Sequence, residues 1–379
     1  MSDWGARARA LVDELTAKGA LSSPAWQRAV AQVPRHELVP CYYEYTAKGW
    51  RLADTAGPRG RERWLGRVYS NAALFILPEG RSSSSMPSLM TRMLEALDIR
   101  DGHKVLEIGT GSGYNAALLC HRLGDDRVYS VELELGLVEL ARARLAALGY
   151  RPTLVTGNGA EGLAEYAPYD RIIATCSVRV VPWVWVRQVR VGGLILVDVK
   201  PGPVAGNLVL LRRYQDRAEG RFDARYGSFM AMREANDAAP TGDSPRPVRD
   251  RSLADQRTTS LDLPRPWENP VVWFFASIHA DLRIVGYGQG MDPATRQPGD
   301  AFLVDHDGAW CEISAHPDDQ GQRRVWQAGP RRLWDDVEAA YHSWEQLGRP
   351  GWERFGLTVT ENGHTVWLDD PDSPHRWLL

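Results

Sequence analysis

The stretch VLEIGTGSG, residues 105–113, joins a short apolar run to three glycines at alternate positions. The apolar residues before the glycines predict a buried parallel strand, and the run from Tyr114 to Leu123 predicts a helix after them. Glycine has no Cβ, so a loop of this kind can turn tightly and let its backbone approach a ligand. A strand, a glycine loop and a helix in this order predict a ligand site at the carboxyl end of a strand in an open α/β sheet.

The spacing of the glycines separates two classes of ligand. Dinucleotide-binding loops read G-x-G-x-x-G, whereas this loop reads E-x-G-x-G-x-G and begins at Glu107. The pattern resembles S-adenosyl-L-methionine-dependent methyltransferases, in which the acid lies near the charged methionine end of the cofactor. Glu132 ends a second strand-like run, 127–131, where an acid can accept hydrogen bonds from both ribose hydroxyls. The alternative is a tight turn without a ligand. The resemblance implies cofactor binding by Glu107, Gly109, Thr110, Gly111, Ser112, Gly113 and Glu132.

Length and composition indicate an ordinary soluble globular protein. The 379 residues predict two or three domains, with 44% hydrophobic and 25% charged residues. A net charge of −3 does not favour general binding to nucleic acid or membranes. The four cysteines are far apart and form no C-x-x-C pair, so neither a metal site nor a disulfide framework is predicted. The charged N-terminus does not resemble a signal peptide, and we expect a cytoplasmic location.

Residues 4–18 and 24–33 are each predicted to form a helix, and the segment 50–85 is expected to be irregular. Strand-like and helix-like runs alternate between residues 104 and 213, which predicts a doubly wound parallel sheet of the α/β class. Beyond it, residues 271–278 are interpreted as a strand, and the apolar face of Leu333, Val337, Tyr341, Trp344 and Leu347 predicts a helix. Four segments follow from these patterns: 1–85, N-terminal helices and a substrate loop; 86–234, the cofactor-binding domain; 235–266, a linker without aromatic residues; and 267–379, a C-terminal α+β accessory domain.

Four separate segments resemble one family, the protein L-isoaspartyl (D-aspartyl) O-methyltransferases. Their order and spacing agree over about residues 10–212, which is more specific than any single motif. The resemblance implies a Rossmann-like fold, S-adenosylmethionine as cofactor, and a peptide or protein as substrate. The segments are AVAQVPRHELVP at 29–40, VLEIGTGSGY at 105–114, APYDRIIATCSV at 167–178 and VRVGGLILVDV at 189–199.

The sequence departs from this family at two motifs. The family's substrate loop GQTISQP is replaced by RSSSSMP at 81–87, in which Ser83 and Ser85 match the Thr and Ser positions. These two are therefore the candidate catalytic residues, with Ser84 and Met86 as substrate-binding candidates, although a serine cluster is also typical of a solvated linker. The family's GDG becomes Gly157-Asn158-Gly159, and the Asn158 carbonyl oxygen would accept from the adenine amino group in place of a carboxylate.

Arg35 and His36 of the family signature are further substrate-binding candidates. Arg35 would pair bidentately with a substrate carboxylate or anchor the N-terminal helix. His36 is interpreted as a structural or peptide-contacting residue, because a carboxylate acceptor needs no deprotonation. Cys176 replaces a small family residue, which favours a packing role over that of a nucleophile.

These features predict a carboxyl O-methyltransferase that acts on an aspartyl or isoaspartyl residue, whose methyl ester then cyclises to a succinimide. Methylation of an Asp in a ribosomally made, lanthipeptide-type precursor is favoured, because the substrate loop is altered and a C-terminal region is added. The alternative is repair of L-isoaspartyl residues in damaged proteins. Another methyl acceptor, such as nucleic acid or a small molecule, and a non-catalytic scaffold are less favoured. We also expect that removing residues 260–379 spares cofactor binding and abolishes peptide recognition.

Overall fold

The computed structural model describes residues 4–53, 55–202, 205–233, 249–261, 268–291 and 297–379. Within these residues the strands form sheets of four, ten and five strands. Most strands of the ten-stranded sheet come from the middle of the sequence, and this sheet carries the glycine loop. The other two sheets come from the N-terminal and C-terminal parts of the sequence.

The N-terminal part combines helices with a small antiparallel sheet. The two helices predicted at 4–18 and 24–33 are confirmed. The segment 50–85, expected to be irregular, contains a 12-residue helix and three short strands. Its helix is rich in arginine, so its few apolar residues give a weak periodic signal. The elements are α1 (Trp4–Ala17), α2 (Pro24–Gln32), α3 (Arg35–Leu38), β1 (Tyr43–Thr46), β2 (Gly49–Leu52), α4 (Gly57–Val68), β3 (Leu74–Phe75), β4 (Ser83–Ser84) and α5 (Pro87–Ala96).

The central part forms the predicted doubly wound sheet. Its elements are β5 (Val105–Ile108), α6 (Tyr114–Leu123), β6 (Val128–Glu132), α7 (Leu135–Ala147), β7 (Thr153–Thr156), β8 (Tyr169–Val178), α8 (Trp183–Gln188), β9 (Val189–Val199), β10 (Asn207–Arg213) and β11 (Ala218–Phe222). Strand β5 pairs in parallel with β6 on one side and with β8 on the other. From β5 the chain continues outward to β6 and β7, and it then returns to the other side of β5 as β8. The strand order therefore reverses at β5, and such a reversal leaves a crevice at the carboxyl ends of the strands.

Each face of this sheet covers a separate hydrophobic core. Successive strand residues point to opposite faces, so Ile172 and Ile173 lie in different clusters, as do Ile195 and Leu196. One cluster packs against the N-terminal helices with α6 and α7, and the other against α8 and the C-terminal part. The sheet is therefore buried on both sides, as a parallel sheet requires.

The C-terminal part completes the central sheet and adds a sheet of its own. Strand β17 pairs antiparallel with β11, and β18 and β19 continue outward, giving the order β19-β18-β17-β11-β10-β9-β8-β5-β6-β7. The second sheet has the order β12-β16-β15-β14-β13. The elements are β12 (Asp255–Thr259), α9 (Pro270–His279), β13 (Ile284–Met291), β14 (Pro298–Asp305), β15 (Trp310–Ile313), β16 (Arg323–Ala328), α10 (Leu333–Gln346), β17 (Phe355–Thr360), β18 (Gly363–Leu368) and β19 (Arg376–Leu378).

One C-terminal element differs from its prediction. The run 271–278 was interpreted as a strand and is the helix α9, whereas the helix predicted at Leu333 is confirmed as α10. A helix that is apolar all round is buried, and it shows no helical periodicity in sequence. Pro270 at the first turn is the local signal for the helix.

The C-terminal part is also less separable than the sequence suggested. Trp273, Phe274 and Trp334 lie in the same apolar cluster as Ile172 and Val197 of the central sheet. Of the predicted linker 235–266, residues 235–248 and 262–266 lie outside the described residues, and the described part contains strand β12. Removal of residues 260–379 would therefore expose one face of the sheet and the edge of β11. That this truncation leaves cofactor binding intact stays a prediction. No described helix has both the length and the apolar character needed to span a membrane.

Candidate active site

A cavity of about 870 Å³ opens at the carboxyl ends of β5, β6 and β8. Part of this volume is open to solvent. Its wall brings together most of the predicted site residues, namely Ser83, Ser84, Ser85, Glu107, Gly109, Thr110, Gly111, Ser112, Glu132 and Gly159. The predicted residues that do not line it are Arg35, His36, Met86, Gly113 and Asn158.

The glycine loop needs its glycines for backbone geometry. Gly109, Gly111 and Gly113 have φ angles of 94°, 51° and 82°, in the left-handed region that glycine adopts without strain. A Cβ on Gly109 would lie 2.7 Å from the Thr175 hydroxyl oxygen. That hydroxyl donates instead to the Gly109 carbonyl at 2.8 Å, which ties the loop to β8. The loop is therefore held by the sheet rather than by a ligand.

Glu132 faces the glycine loop from the end of β6. Its carboxylate accepts hydrogen bonds from the backbone N–H of Gly111 at 3.0 Å and of Leu133 at 2.9 Å. The Glu134 N–H is a third donor at 3.4 Å, and a carboxylate can accept about four hydrogen bonds, so capacity remains for a ribose hydroxyl. This arrangement fits the role predicted for Glu132.

Glu107 lies beneath the loop in a fully buried polar network. Asn115 donates to one of its carboxylate oxygens at 2.8 Å, and Ser130 donates to the other at 2.5 Å. The Ser130 hydroxyl in turn lies 2.7 Å from that of Thr110. Burial raises the pKa of Glu107 to about 7, and no Lys, Arg or His forms an ion pair with it in the described part of the chain. Such a carboxylate suits a cationic ligand, since a nearby positive charge favours its ionised form.

Asn115 is a site residue that the sequence interpretation missed. The residue is buried, it lines the cavity, and its Oδ1 has no hydrogen-bond partner among the described residues. A buried oxygen without a partner is costly unless a ligand satisfies it. An ammonium group is a suitable donor for it. Together with Glu107 and Glu132, this atom shows that the residues present fit S-adenosylmethionine, which carries a sulfonium, an ammonium and a ribose.

Asn158 caps a short turn beside the cavity wall. Its Oδ1 accepts from the Ala160 N–H at 3.0 Å and caps the short 3₁₀ turn Gly159–Glu161. An amide oxygen has two lone pairs, so the acceptance of a hydrogen bond from adenine stays a prediction. Gly159 does line the cavity, and its carbonyl accepts from Trp185 at 2.9 Å.

The serine segment forms a wall of the cavity rather than a solvated linker. Strand β4 pairs with β3 and crosses the glycine loop, so a Cβ on Gly111 would lie 3.3 Å from the Ser83 carbonyl oxygen. Ser83 and Ser85 are partly exposed, and neither hydroxyl has a hydrogen-bond partner among the residues that the structure describes. Both hydroxyls are therefore available to a second ligand beside the cofactor.

Arg35 holds the serine segment from below. The side chain is fully buried, and it donates to the Val68 carbonyl at 2.8 Å and the Ser85 carbonyl at 3.1 Å. It also donates to the Ser84 hydroxyl at 3.3 Å. Burial lowers its pKa to about 10. This geometry corrects the prediction of a substrate carboxylate at Arg35, because the guanidinium is enclosed by protein and positions the loop instead.

His36 and Met86 lie outside the cavity wall. The His36 Nδ1 is 2.7 Å from the Tyr69 hydroxyl, and its ring packs against those of Trp4 and Trp64. Burial lowers the pKa of His36 and favours its neutral form. The structural role is thus supported for His36. Met86 is partly exposed where α5 begins.

Two further parts of the wall had no sequence signal. Residues 230–233 pass beside β8, where Ser177 donates to the Met230 carbonyl at 2.8 Å and Met232 donates back at 2.7 Å. At the rim, Glu134 accepts from Arg81 at 2.8 Å and from Arg233 at 2.6 Å. The rim therefore joins the serine segment, the end of β6 and the stretch after β11.

The charge state of Cys176 agrees with a packing role. Its thiol lies in the cavity wall, and burial raises its pKa to about 12. A thiol with such a pKa is protonated at neutral pH and is a poor nucleophile.

The chain was compared with known proteins. The family described as protein-L-isoaspartate(D-aspartate) O-methyltransferase matches residues 59–227. A protein-L-isoaspartate O-methyltransferase of Methanothermobacter thermautotrophicus is 35% identical over 207 residues, 54% of this chain and 85% of that protein. The one from Rhodospirillum rubrum is 38% identical over 185 residues, 47% of this chain and 80% of that protein.

A solved structure with the same protein name has a similar fold. It aligns with 96% of this chain and 100% of its own at a TM-score of 0.55 and 22% identity. This chain contains the glycine loop, the two acids and the serine segment, and it aligns with most of the length of these relatives. The chain belongs to the protein-L-isoaspartate(D-aspartate) O-methyltransferase family.

Proposed function

We propose that this methyltransferase transfers a methyl group from S-adenosylmethionine to the free α-carboxylate of an L-isoaspartyl residue in a peptide or protein. The observation that carries the proposal is the serine segment, which lies across the glycine loop with the hydroxyls of Ser83 and Ser85 unpartnered in the cavity wall. The names of the relatives support the same substrate class. Methylation of such residues is the first step of a repair reaction.

Bound S-adenosylmethionine supplies the methyl group as an electrophile on its sulfonium. Glu107 and Asn115 would meet the positive end of the cofactor, and Glu132 would accept a hydrogen bond from its ribose. The acceptor carboxylate is ionised at neutral pH, so the chain needs no general base, in agreement with the buried His36. The main tasks of the protein are alignment of the two reactants and replacement of the water around the carboxylate by fixed donors.

Ser83 and Ser85 provide those donors. Arg35 fixes the backbone of the segment through the Ser85 carbonyl, so the hydroxyls are presented from a held loop. Transfer forms the methyl ester of the isoaspartyl carboxylate and leaves S-adenosylhomocysteine. The backbone nitrogen that follows then attacks the ester carbonyl, methanol departs, and the succinimide ring forms without further help from the enzyme.

The biosynthetic alternative, an Asp in a particular precursor peptide, has one supporting observation. Ser84 and Met86 stand where the family pattern has Ile and Gln, and Ser84 is bound by Arg35. The presence of the C-terminal part, however, is weaker support for a precursor-peptide substrate than the sequence analysis assumed. A solved chain named for isoaspartate methylation aligns along 96% of this chain, so the additional fold does not by itself require an additional task.

A mass-spectrometric assay tests the proposal with an isoaspartyl peptide, its Asp twin and any candidate precursor peptide. We expect one methyl group on the isoaspartyl peptide. Ser83→Ala and Ser85→Ala should each lower kcat/KM about 10-fold or more, because a hydrogen bond to a charged group is lost, while cofactor affinity is kept. Ser88→Ala, in the first turn of α5 and outside the cavity wall, is the matched control. Methylation of the Asp peptide alone would contradict the proposal.

A further inference from the structure

Helix α4 carries an arginine stripe that the proposed reaction does not use. Its 12 residues hold four arginines and one glutamate. Arg59, Arg63 and Arg67 are spaced i, i+4 and i+8, so they project from one face of the helix. All three are exposed, and none of their side chains has an ion pair or hydrogen bond within the described residues. At a rise of about 1.5 Å per residue the stripe is about 12 Å long.

This stripe is unfavourable for the helix, because like charges at i and i+4 repel each other on its surface. The single acid of the helix, Glu62, is bound by Arg7 of α1 and does not neutralise the stripe. Exposed arginines elsewhere occur both with a carboxylate partner, as Arg100 has Asp98 at 2.7 Å, and without one among the described residues, as at Arg9 and Arg28. A local excess of positive charge on a chain of net charge −3 suits an anionic partner.

The stripe ends beside the serine segment. Helix α4 ends at Val68, whose carbonyl accepts from Arg35 at 2.8 Å. The same guanidinium donates to the Ser85 carbonyl at 3.1 Å. One buried side chain therefore joins the end of the helix to the segment that contacts the acceptor residue. Arg67, one residue before this junction, is the stripe residue nearest to it in sequence.

The acidic groups near this face leave the stripe open. Glu44 of β1 lies 3.6 Å from Arg51, and Glu37 lies 3.3 Å from His36. Neither forms an ion pair with the three arginines. Among the described residues no carboxylate forms an ion pair with Arg59, Arg63 or Arg67, so a negatively charged segment that approaches along α4 would meet unpaired cations.

We propose that Arg59, Arg63 and Arg67 form a docking stripe for an acidic stretch of the substrate polypeptide that flanks the acceptor residue. An extended chain advances about 3.3–3.6 Å per residue, so the stripe spans three or four substrate residues. A peptide fits better than a nucleic acid, because three cations are fewer than the roughly 6–10 phosphate contacts typical of nucleic-acid binding proteins. The inference rests on the proposed function and specifies which isoaspartyl substrates the enzyme prefers.

Two isoaspartyl peptides that differ only in three flanking residues, Glu in one and Gln in the other, provide the test. We expect the wild-type enzyme to methylate the Glu peptide with a KM about 10-fold lower, since each of three exposed ion pairs contributes about two-fold. The preference should decrease steeply as the salt concentration is raised toward ~1 M, because salt screens exposed charges. The variant with Arg59→Gln, Arg63→Gln and Arg67→Gln should lose the preference, with kcat unchanged and the KM of the Gln peptide unchanged.

Arg61→Gln is the matched control, because Arg61 lies on the other side of the same helix and is equally exposed. Circular dichroism verifies the fold of the triple variant. If that variant unfolds, Arg63→Gln alone should reduce the preference about two-fold, the effect of one exposed ion pair.

The outcomes separate the two proposals. Failure of the wild-type enzyme to methylate even the Gln peptide would contradict the proposed function. Methylation of both peptides with equal KM would reject the docking stripe alone. A short single-stranded RNA that binds the wild-type enzyme and not the triple variant, while the peptide preference is absent, would reassign the stripe to nucleic acid.

Discussion

The two halves of the ten-stranded sheet are built differently. In the half from β7 to β9 the neighbouring strands are parallel, so their carboxyl ends meet at one edge and leave a crevice where the strand order reverses. In the half from β10 to β19 the strands are antiparallel, and their connections alternate between both edges. The cavity lies in the first half. Strand direction therefore decides which end of one continuous sheet can bind a ligand and which end serves mainly to bury apolar surface.

Glycines show the same contrast. In the parallel half they occupy loop positions with left-handed backbone angles beside the cavity. In the antiparallel half, Gly220 and Gly356 lie inside strands where a neighbour is too close for a side chain. The first set leaves room for a ligand, and the second lets β10, β11, β17 and β18 pack closely. Substitutions at the two sets should therefore have separable effects on binding and on stability.

Gly220→Ala should have the largest effect, on the antiparallel half. The added Cβ would lie 1.8 Å from the Leu210 carbonyl oxygen, so the pairing of β10 with β11 would have to separate. We expect a loss of about 3 kcal/mol or more in the free energy of unfolding, measured by denaturant titration. Cofactor affinity of the folded fraction should be little changed. Gly286→Ala in β13 is the control, because its Cβ would lie 3.7 Å from Val304. Wild-type stability of the Gly220→Ala protein would argue against the shared sheet.

Gly111→Val should have the next largest effect, a loss of cofactor binding in the parallel half of the sheet. The branched side chain would occupy ligand space beside Ser83, at a φ of 51° that valine rarely adopts. We expect cofactor affinity, measured by calorimetry, to fall about 100-fold or more, the scale of several lost contacts, with a smaller loss of stability. Gly136→Ala in α7 is the control, since nothing lies within 4 Å of its Cβ position. Normal binding by the Gly111→Val protein would show that the cofactor lies elsewhere.

Glu107→Gln should have a smaller, pH-dependent effect within the site. The pKa of Glu107 is raised in the folded protein to about 7, so the folded state binds this proton more tightly than the unfolded state does. The wild-type protein therefore loses stability as pH rises from the ordinary carboxyl range through 7. Gln cannot ionise, so without cofactor the variant should melt at a higher temperature than wild type at pH 8, and not at pH 5.

Cofactor affinity should depend on the charge of Glu107 in the opposite direction, because the cofactor favours the ionised carboxylate. A cationic ligand favours ionised Glu107, so wild-type affinity should increase as pH rises through about 7. Glu107→Gln should bind about 10-fold more weakly at pH 8, where a charge-assisted hydrogen bond is lost, and without this rise. An unchanged affinity and pH profile would contradict the assignment of Glu107 to the positive end of the cofactor.

Predictions from sequence succeeded where residues that are close in the chain are also close in the site. The glycine loop, Glu107 and the helix α6 follow one another directly, and their order alone indicates the geometry. Asn115 was within reach of the same reasoning, since it stands in the first turn of that helix. Its significance depends on the unpartnered Oδ1, which only coordinates reveal. Arg35 was placed in the right signature and given the wrong partner.

The amino-acid sequence by itself determined the class of fold, the cofactor loop with its two acids, and the family. These features are local, because backbone conformation and strand–loop–helix order depend on neighbouring residues. Only the tertiary structure decided that Arg35 fixes the serine segment, that residues 230–233 close the cavity, and that β17 to β19 complete the sheet. Each of these depends on contacts between distant parts of the chain. Residue type and spacing do not specify such contacts. A strand edge can pair with many other strands, and a buried guanidinium can donate to many carbonyls, without any change in local conformational preference.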